Sequence, residues 1–227
     1  MRVTIHQPQY LPWLGYLDKI DQAELFVMLD NVQFKKQEWQ NRNRIRTAAG
    51  WQWMTVPVLQ RFGQRVNEVR INTHVRWQAT QLRAIEMHYA RAPFCKSYLT
   101  ALHELLQRPW DRLADLNLMV LRWLLDAFGI KTPIRLASEM VLREEATDRL
   151  IDICRLVGAT RYLAGAGGGD YLDTGRFAQS GVRLEIQDFK HPEYRQCYKP
   201  FVPALSALDL LLNCGPDARA VLRSTRQ

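Results

Sequence analysis

The opening thirty residues constrain the fold more than any other stretch. Residues 2–5 form a short apolar run, and a proline-containing turn follows. From about 12 to 23, Leu14, Leu17 and Ile20 recur at helical spacing, and a second apolar run fills 25–29. Strand, helix, strand in so short a space is the entry of a parallel α/β unit, because parallel neighbours need a crossover and a helix usually supplies it. Helical spacing then dominates 77–90, 96–106 and 111–128, with Pro93 and Pro109 as separators and Gly129 as a stop. A brief strand is predicted at 134–136, a helix at 148–157 ending on Gly158, strands at 162–164 and 182–189, and a closing helix at 207–213. The run 51–58 reads as an edge or hairpin strand, with 66–71 as its candidate partner. The expectation is one α/β domain: a Rossmann-like, mostly parallel sheet flanked by helices, with a helical insertion at about 73–132.

Composition narrows the class. Of 227 residues 47% are hydrophobic, enough for a packed core and too many for a disordered, collagenous or disulfide-scaffold chain. Met1 is not followed by an apolar signal stretch, and the greasiest segment, 116–130, is broken by Arg122 and Asp126. A cytoplasmic protein without a membrane span is expected. Cys95, Cys154, Cys197 and Cys214 are widely spaced, which predicts reduced thiols and no metal site.

The net charge of +8 is regional: between Lys35 and Arg83 ten basic residues face only Glu38 and Glu68, and the remainder is balanced. Four of the seven tryptophans, Trp39, Trp51, Trp53 and Trp77, share that segment. Guanidinium groups interleaved with flat rings suit a phosphate-bearing partner with stackable groups, and the distribution does not separate a nucleotide or sugar nucleotide from an RNA.

Four polar clusters follow four predicted strands, where open α/β sheets bind ligands. The first holds His6, Gln7, Gln9, Tyr10, Trp13, Gly15 and Tyr16, with Pro12 opening a helix whose free N–H groups suit an anion. The second holds Asp30, Asn31, Lys35, Asn41, Arg42 and Asn43. The third is glycine-rich and includes Gly165 and Asp170; it has neither P-loop spacing nor the dinucleotide fingerprint. The fourth holds His191, Tyr194, Arg195 and Lys199. His6 and His191 are the candidate acid–base pair, Asp30 the candidate amine-orienting carboxylate, and Arg42, Arg195 and Lys199 the candidate anion clamp. No Ser-His-Asp elbow, zinc spacing or carboxylate pair is visible.

At His6–Tyr16, Asn41–Asn43, Tyr162–Gly165 with Tyr171-Leu172, and Pro203–Leu211, the chain resembles the WbqC-like family of bacterial proteins. These proteins are associated with O-antigen and other polysaccharide or natural-product loci. The resemblance implies transfer of a glycyl or other acyl group to an amino sugar. More distantly, the order of turn, Leu14-Gly15-Tyr16 and helix is similar to nucleotidylyltransferase-type folds such as pantothenate synthetase, which implies ATP with Mg and an adenylate. The two histidines of that signature are absent here.

The expected function is therefore acyl or aminoacyl transfer to an amine on a sugar nucleotide or small metabolite, the donor being an adenylate or an aminoacyl-tRNA. The rival readings are a non-catalytic RNA- or nucleotide-binding protein, and a scaffold with Tyr10 and Trp13 on an exposed patch. A homodimer is left open.

Overall fold

A computed structural model describes residues 1–170 and 172–226, without the side chain of Asp170. Five parallel strands form its central sheet: β1 (Arg2–His6), β2 (Leu25–Met28), β7 (Ile134–Leu136), β8 (Arg161–Ala164) and β9 (Arg183–Ile186), in the order β7-β2-β1-β8-β9. The chain leaves β1 in one direction to β2 and returns on its other side as β8, so the strand order reverses beside β1. That reversal opens a crevice at the carboxyl ends of the strands.

Both faces are covered, as a parallel sheet requires. Phe26 and Met28 point into a large core shared with α1 (Leu14–Asp21), α2 (Trp77–Tyr89), α3 (Cys95–Gln107), α4 (Leu113–Ala127), α7 (Ala207–Cys214) and α8 (Ala218–Arg223). Val3, Ile5, Leu25 and Val27 point the other way, against α5 (Ala146–Leu156) and α6 (Thr174–Gln179). The alternation within β2 is the period of two expected of a strand. Gly129 and Gly158 end their helices at φ 66° and 71°, left-handed positions where a Cβ is penalised.

Two features depart from the sequence reading. α1 is buried on every side and not merely along its Leu14–Leu17–Ile20 stripe, because α8 closes over it. Arg226 pairs with Asp18 and Asp21, and Arg219 and Arg223 also pair with Asp21. The 51–58 strand does not pair with 66–71 as one unit. β4 (Gly50–Thr55) pairs antiparallel with β3 (Arg42–Thr47), while the separate β5 (Val58–Leu59) pairs with β6 (Arg70–Ile71). In β3, Arg42 and Arg44 lie over tryptophan rings, whereas Arg46 is buried. Among the described residues no helix is long and apolar enough to cross a membrane, and all four cysteines are free.

Candidate functional site

His6 is the last residue of β1, and Gln7-Pro8-Gln9 carries the chain over the sheet edge. The turn is held rigidly. Leu11 adopts a left-handed φ of 44°, and Asn43 Nδ2 donates to its carbonyl at 2.8 Å. A cavity of about 490 Å³ opens beside it, lined by His6, Gln7 and Gln9, by Lys35 and Trp39 from the loop after β2, and by Arg149 near the start of α5. Lys35 and Arg149 face a single acid there, Glu38, so the donor set suits phosphate or carboxylate oxygens better than a magnesium ion.

Hydrogen bonds orient these groups. The Gln7 carbonyl faces His6 Nδ1 at 3.1 Å. A carbonyl only accepts, so Nδ1 carries the proton of the neutral ring and Nε2 is left as an acceptor. Among the described residues nothing bonds Nε2. The Tyr16 ring meets the imidazole edge-on at 4.9 Å, and its hydroxyl donates to the same Gln7 carbonyl. Gln40 Nε2 donates to Gln7 Oε1 at 2.7 Å and accepts at its own Oε1 from the Lys35 amide, which leaves the Gln7 amide nitrogen for the cavity. Gln9 is 7% exposed and its buried Oε1 has no partner.

Behind His6 lies a residue the sequence reading passed over. Lys19 is 2% exposed, and its Nζ donates to the Ile5 carbonyl at 3.4 Å. A Cβ on Gly165 would sit 3.8 Å from that nitrogen, which puts the ammonium between the ends of β1 and β8. Its helical neighbour Asp18 is taken by Arg226 and Gln187, so among the described residues Lys19 meets no carboxylate. Burial lowers the Lys19 ammonium to about 7. Burial and the Lys19 charge lower His6 to about 3, and the ring is neutral at physiological pH. Nothing local marked it: on this helix Lys19 stands between Asp18 and Asp21 in sequence, as an ordinary surface lysine would.

Of the residues singled out from sequence, His6, Gln7, Gln9, Lys35 and Trp39 line this cavity, Tyr16 packs against His6, and Gly165 lies beside Lys19. The Asp30 carboxylate accepts from the amide and hydroxyl of Ser138 and so ties the loop after β2 to the loop after β7. Asn31 donates to Ala137, and Asn43 is buried under the turn. Tyr10 is fully buried with its hydroxyl on Gln81, so the exposed patch required by a scaffold does not form there. Gly15 makes room for the Trp13 ring, which would lie 2.3 Å from an added Cβ. Asn41 and Arg42 line a second cavity, and Tyr194, Arg195 and Lys199 a third.

His191 sits among Phe189, Tyr194 and Phe201 with Nδ1 on the Pro192 carbonyl. Burial lowers its pKa. It therefore does not join His6, because the chain after β9 turns away along the aromatic cluster. The Asp170 side chain and Tyr171 lie outside the described residues. Among the described residues no three His, Cys, Asp or Glu side chains gather as metal ligands.

Comparison with known proteins finds sequence similarity along the whole chain. The uncharacterized protein Rv1507c of Mycobacterium tuberculosis is 35% identical over 232 aligned positions, covering 100% of this chain and 99% of the relative. No solved structure matches. A sequence model of the WbqC-like protein family matches residues 7–221, and the chain belongs to that family.

Proposed function

We propose that the cavity at His6 is the active site of a group-transfer enzyme that moves an acyl or aminoacyl group onto an amine, the acceptor being a sugar nucleotide or a small metabolite. The observation that carries this reading is the concentration of unpartnered polar groups at one sheet edge: the His6 Nε2, the Gln7 amide nitrogen and the Gln9 carbonyl oxygen. Among the described residues Gln9 Oε1 is buried without a partner, and His6 and Gln7 line the cavity with Nε2 and the amide nitrogen unpaired, which leaves all three for a ligand.

In the proposed reaction the acceptor nitrogen attacks the acyl carbonyl. The new C–N bond forms as the bond to the leaving oxygen breaks. His6 Nε2 accepts the proton lost by the nitrogen and passes it to the leaving oxygen, and the Gln7 amide N–H donates to the developing oxyanion. Lys35 and Arg149 hold the phosphate or carboxylate of the bound substrate. Gln9 Oε1 accepts from the acceptor amine. Lys19 acts through His6 as a positioning residue: its charge adds to the burial that keeps the imidazole deprotonated. ATP phosphates fit the same cations, so an adenylate is one form the donor takes. The four free thiols suit the reducing cytoplasm, where we place the reaction.

The test is calorimetric titration with ATP, nucleotide sugars and amino acids, followed by turnover assays with the ligands that bind. His6→Gln keeps a polar side chain of similar reach and is expected to bind the same ligands with turnover reduced about 10²–10⁴-fold. Undiminished turnover in that variant would remove His6 from the chemistry.

A further inference from the structure

The β3–β4 hairpin presents a second surface that the proposed reaction does not use. Its register sets Arg42 opposite Thr55, Arg44 opposite Trp53 and Arg46 opposite Trp51, so three arginines and two tryptophans share one face. The Arg42 guanidinium lies 4.1 Å from the centre of the Trp53 ring, and that of Arg44 5.0 Å from Trp51 and 5.5 Å from Trp39. The Trp39 and Trp53 rings are 5.6 Å apart. Arg46 is different: it is buried and spends both terminal nitrogens on the carbonyls of Thr47, Gly50 and Pro200, which makes it a structural strut.

Trp51 and Trp53 remain 43% and 38% exposed. Large rings in water are usually there to be covered. Among the described residues neither Arg42 nor Arg44 meets a carboxylate, and the hairpin itself contains no acidic residue. Beside it lies a cavity of about 800 Å³ whose lining holds Lys36, Arg42 and Arg61 and no acid; Arg70, at its edge, is paired with Asp111. One strip of chain, 35–42, divides this cavity from the His6 site. Lys35, Trp39 and Gln40 line the His6 side, and Lys36, Asn41 and Arg42 the other.

We propose that this face binds the unpaired 3′ strand of an RNA, with phosphates along the acid-free cavity, bases on Trp51 and Trp53, and the terminal nucleotide led past Trp39 to the His6 cavity. Cation-backed aromatic rings stack on any unpaired base and are blocked by a duplex. An activated aminoacyl group is carried as an ester on a 3′-terminal ribose, so the surface names the donor class of the transfer reaction and rests on that reading only for the direction of the strand.

Fluorescence anisotropy with a labelled single-stranded RNA of about twelve nucleotides tests it. Saturable binding is expected, about ten-fold or more weaker for the same RNA in a duplex. It should weaken about ten-fold between 50 and 200 mM salt, as about two to three neutralised phosphates would give. Trp53→Ala and Trp51→Ala should each weaken it about ten-fold, and Arg42→Ala should flatten the salt dependence by about one phosphate. Because both tryptophans are exposed, unchanged thermal melting of the variants certifies the fold.

A photoreactive 3′-terminal nucleotide should cross-link within 35–40. Absence of saturable binding, equal affinity for duplex or heparin, unchanged affinity of the tryptophan variants, or cross-links remote from that strip would overturn the proposal. Trp51→Ala and Trp53→Ala lie outside the His6 cavity and should bind nucleotides and amino acids there as the parent does. Failure of the transfer reading therefore appears as lost turnover chemistry with RNA binding intact, and failure of this one as lost RNA binding with nucleotide and amino-acid binding intact.

Discussion

Asp209 and Lys19 are both buried ions on short helices, and their surroundings differ in one respect. Asp209 accepts from the Tyr89 and Tyr194 hydroxyls at 2.8 Å and from Gln196 Nε2 at 2.9 Å, and Tyr89 in turn accepts from the Arg46 amide. Burial pushes the carboxyl above its ordinary range, while those donors and the Arg46 cation pull it back. The cluster welds α2, α7 and the 194–196 segment together and leaves the carboxylate little to offer a ligand. Among the described residues Lys19 has one long hydrogen bond, no counter-ion, and a histidine in front of it whose Nε2 is vacant. A saturated polar cluster specifies packing; an unsaturated one is held in reserve for something that binds.

The largest expected effect tests the saturated side. Asp209→Ala strips three donors and a nearby cation of their acceptor and should cost about 3–5 kcal/mol in urea unfolding. A cost below about 1 kcal/mol would mean that water or rearrangement satisfies those donors, and the contrast with Lys19 would lose its meaning.

Lys19→Met tests the other side, and its sign is opposite. Removing an uncompensated buried ammonium should stabilise the fold by about 2 kcal/mol at neutral pH while impairing turnover. The pH dependence identifies the cause. Lys19 falls from an ordinary 10.5 to about 7 on folding, so between these values the unfolded chain holds a proton that the folded one has released. Stability should drop as pH falls from about 10.5 to 7 and level off below; the methionine variant should lack this slope. His6 should also regain part of its basicity, moving the acid limb of the pH–rate profile upward from near 3. A purely structural lysine would leave that limb in place.

The smallest effect sharpens the boundary between packing and binding within the first turn. Tyr10→Phe leaves the Gln81 carbonyl without its donor and should cost about 1 kcal/mol. Ligand affinity at the His6 cavity should not change, as measured by calorimetry on the same preparation. A marked loss of affinity would return Tyr10 to the binding site.

The chain pattern reveals much of the frame and only part of the site. The β1–α1–β2 entry, the three helices at 77–127, the short β7 and the glycine stops are all readable, because each rests on spacing among neighbours in sequence. His6, Gln7, Gln9 and Lys35 are readable as a group because they follow two adjacent strands. His191, Arg195 and Lys199 also follow a strand, but their segment turns onto α7 and an aromatic cluster, a direction no local pattern encodes.

What the amino-acid order settles unaided is where strands and helices start, which sides are greasy, and where the positive charge is concentrated. Lys19 shows what it leaves open. On its own helix it is an ordinary lysine beside an aspartate. It becomes a dry, lone cation only because β8 arrives about 140 residues later to close one flank and Arg226, from the far end of the chain, claims the aspartate. Solvent access and counter-ions depend on which distant segments come together, and these set the chemistry of a side chain as surely as its own atoms do.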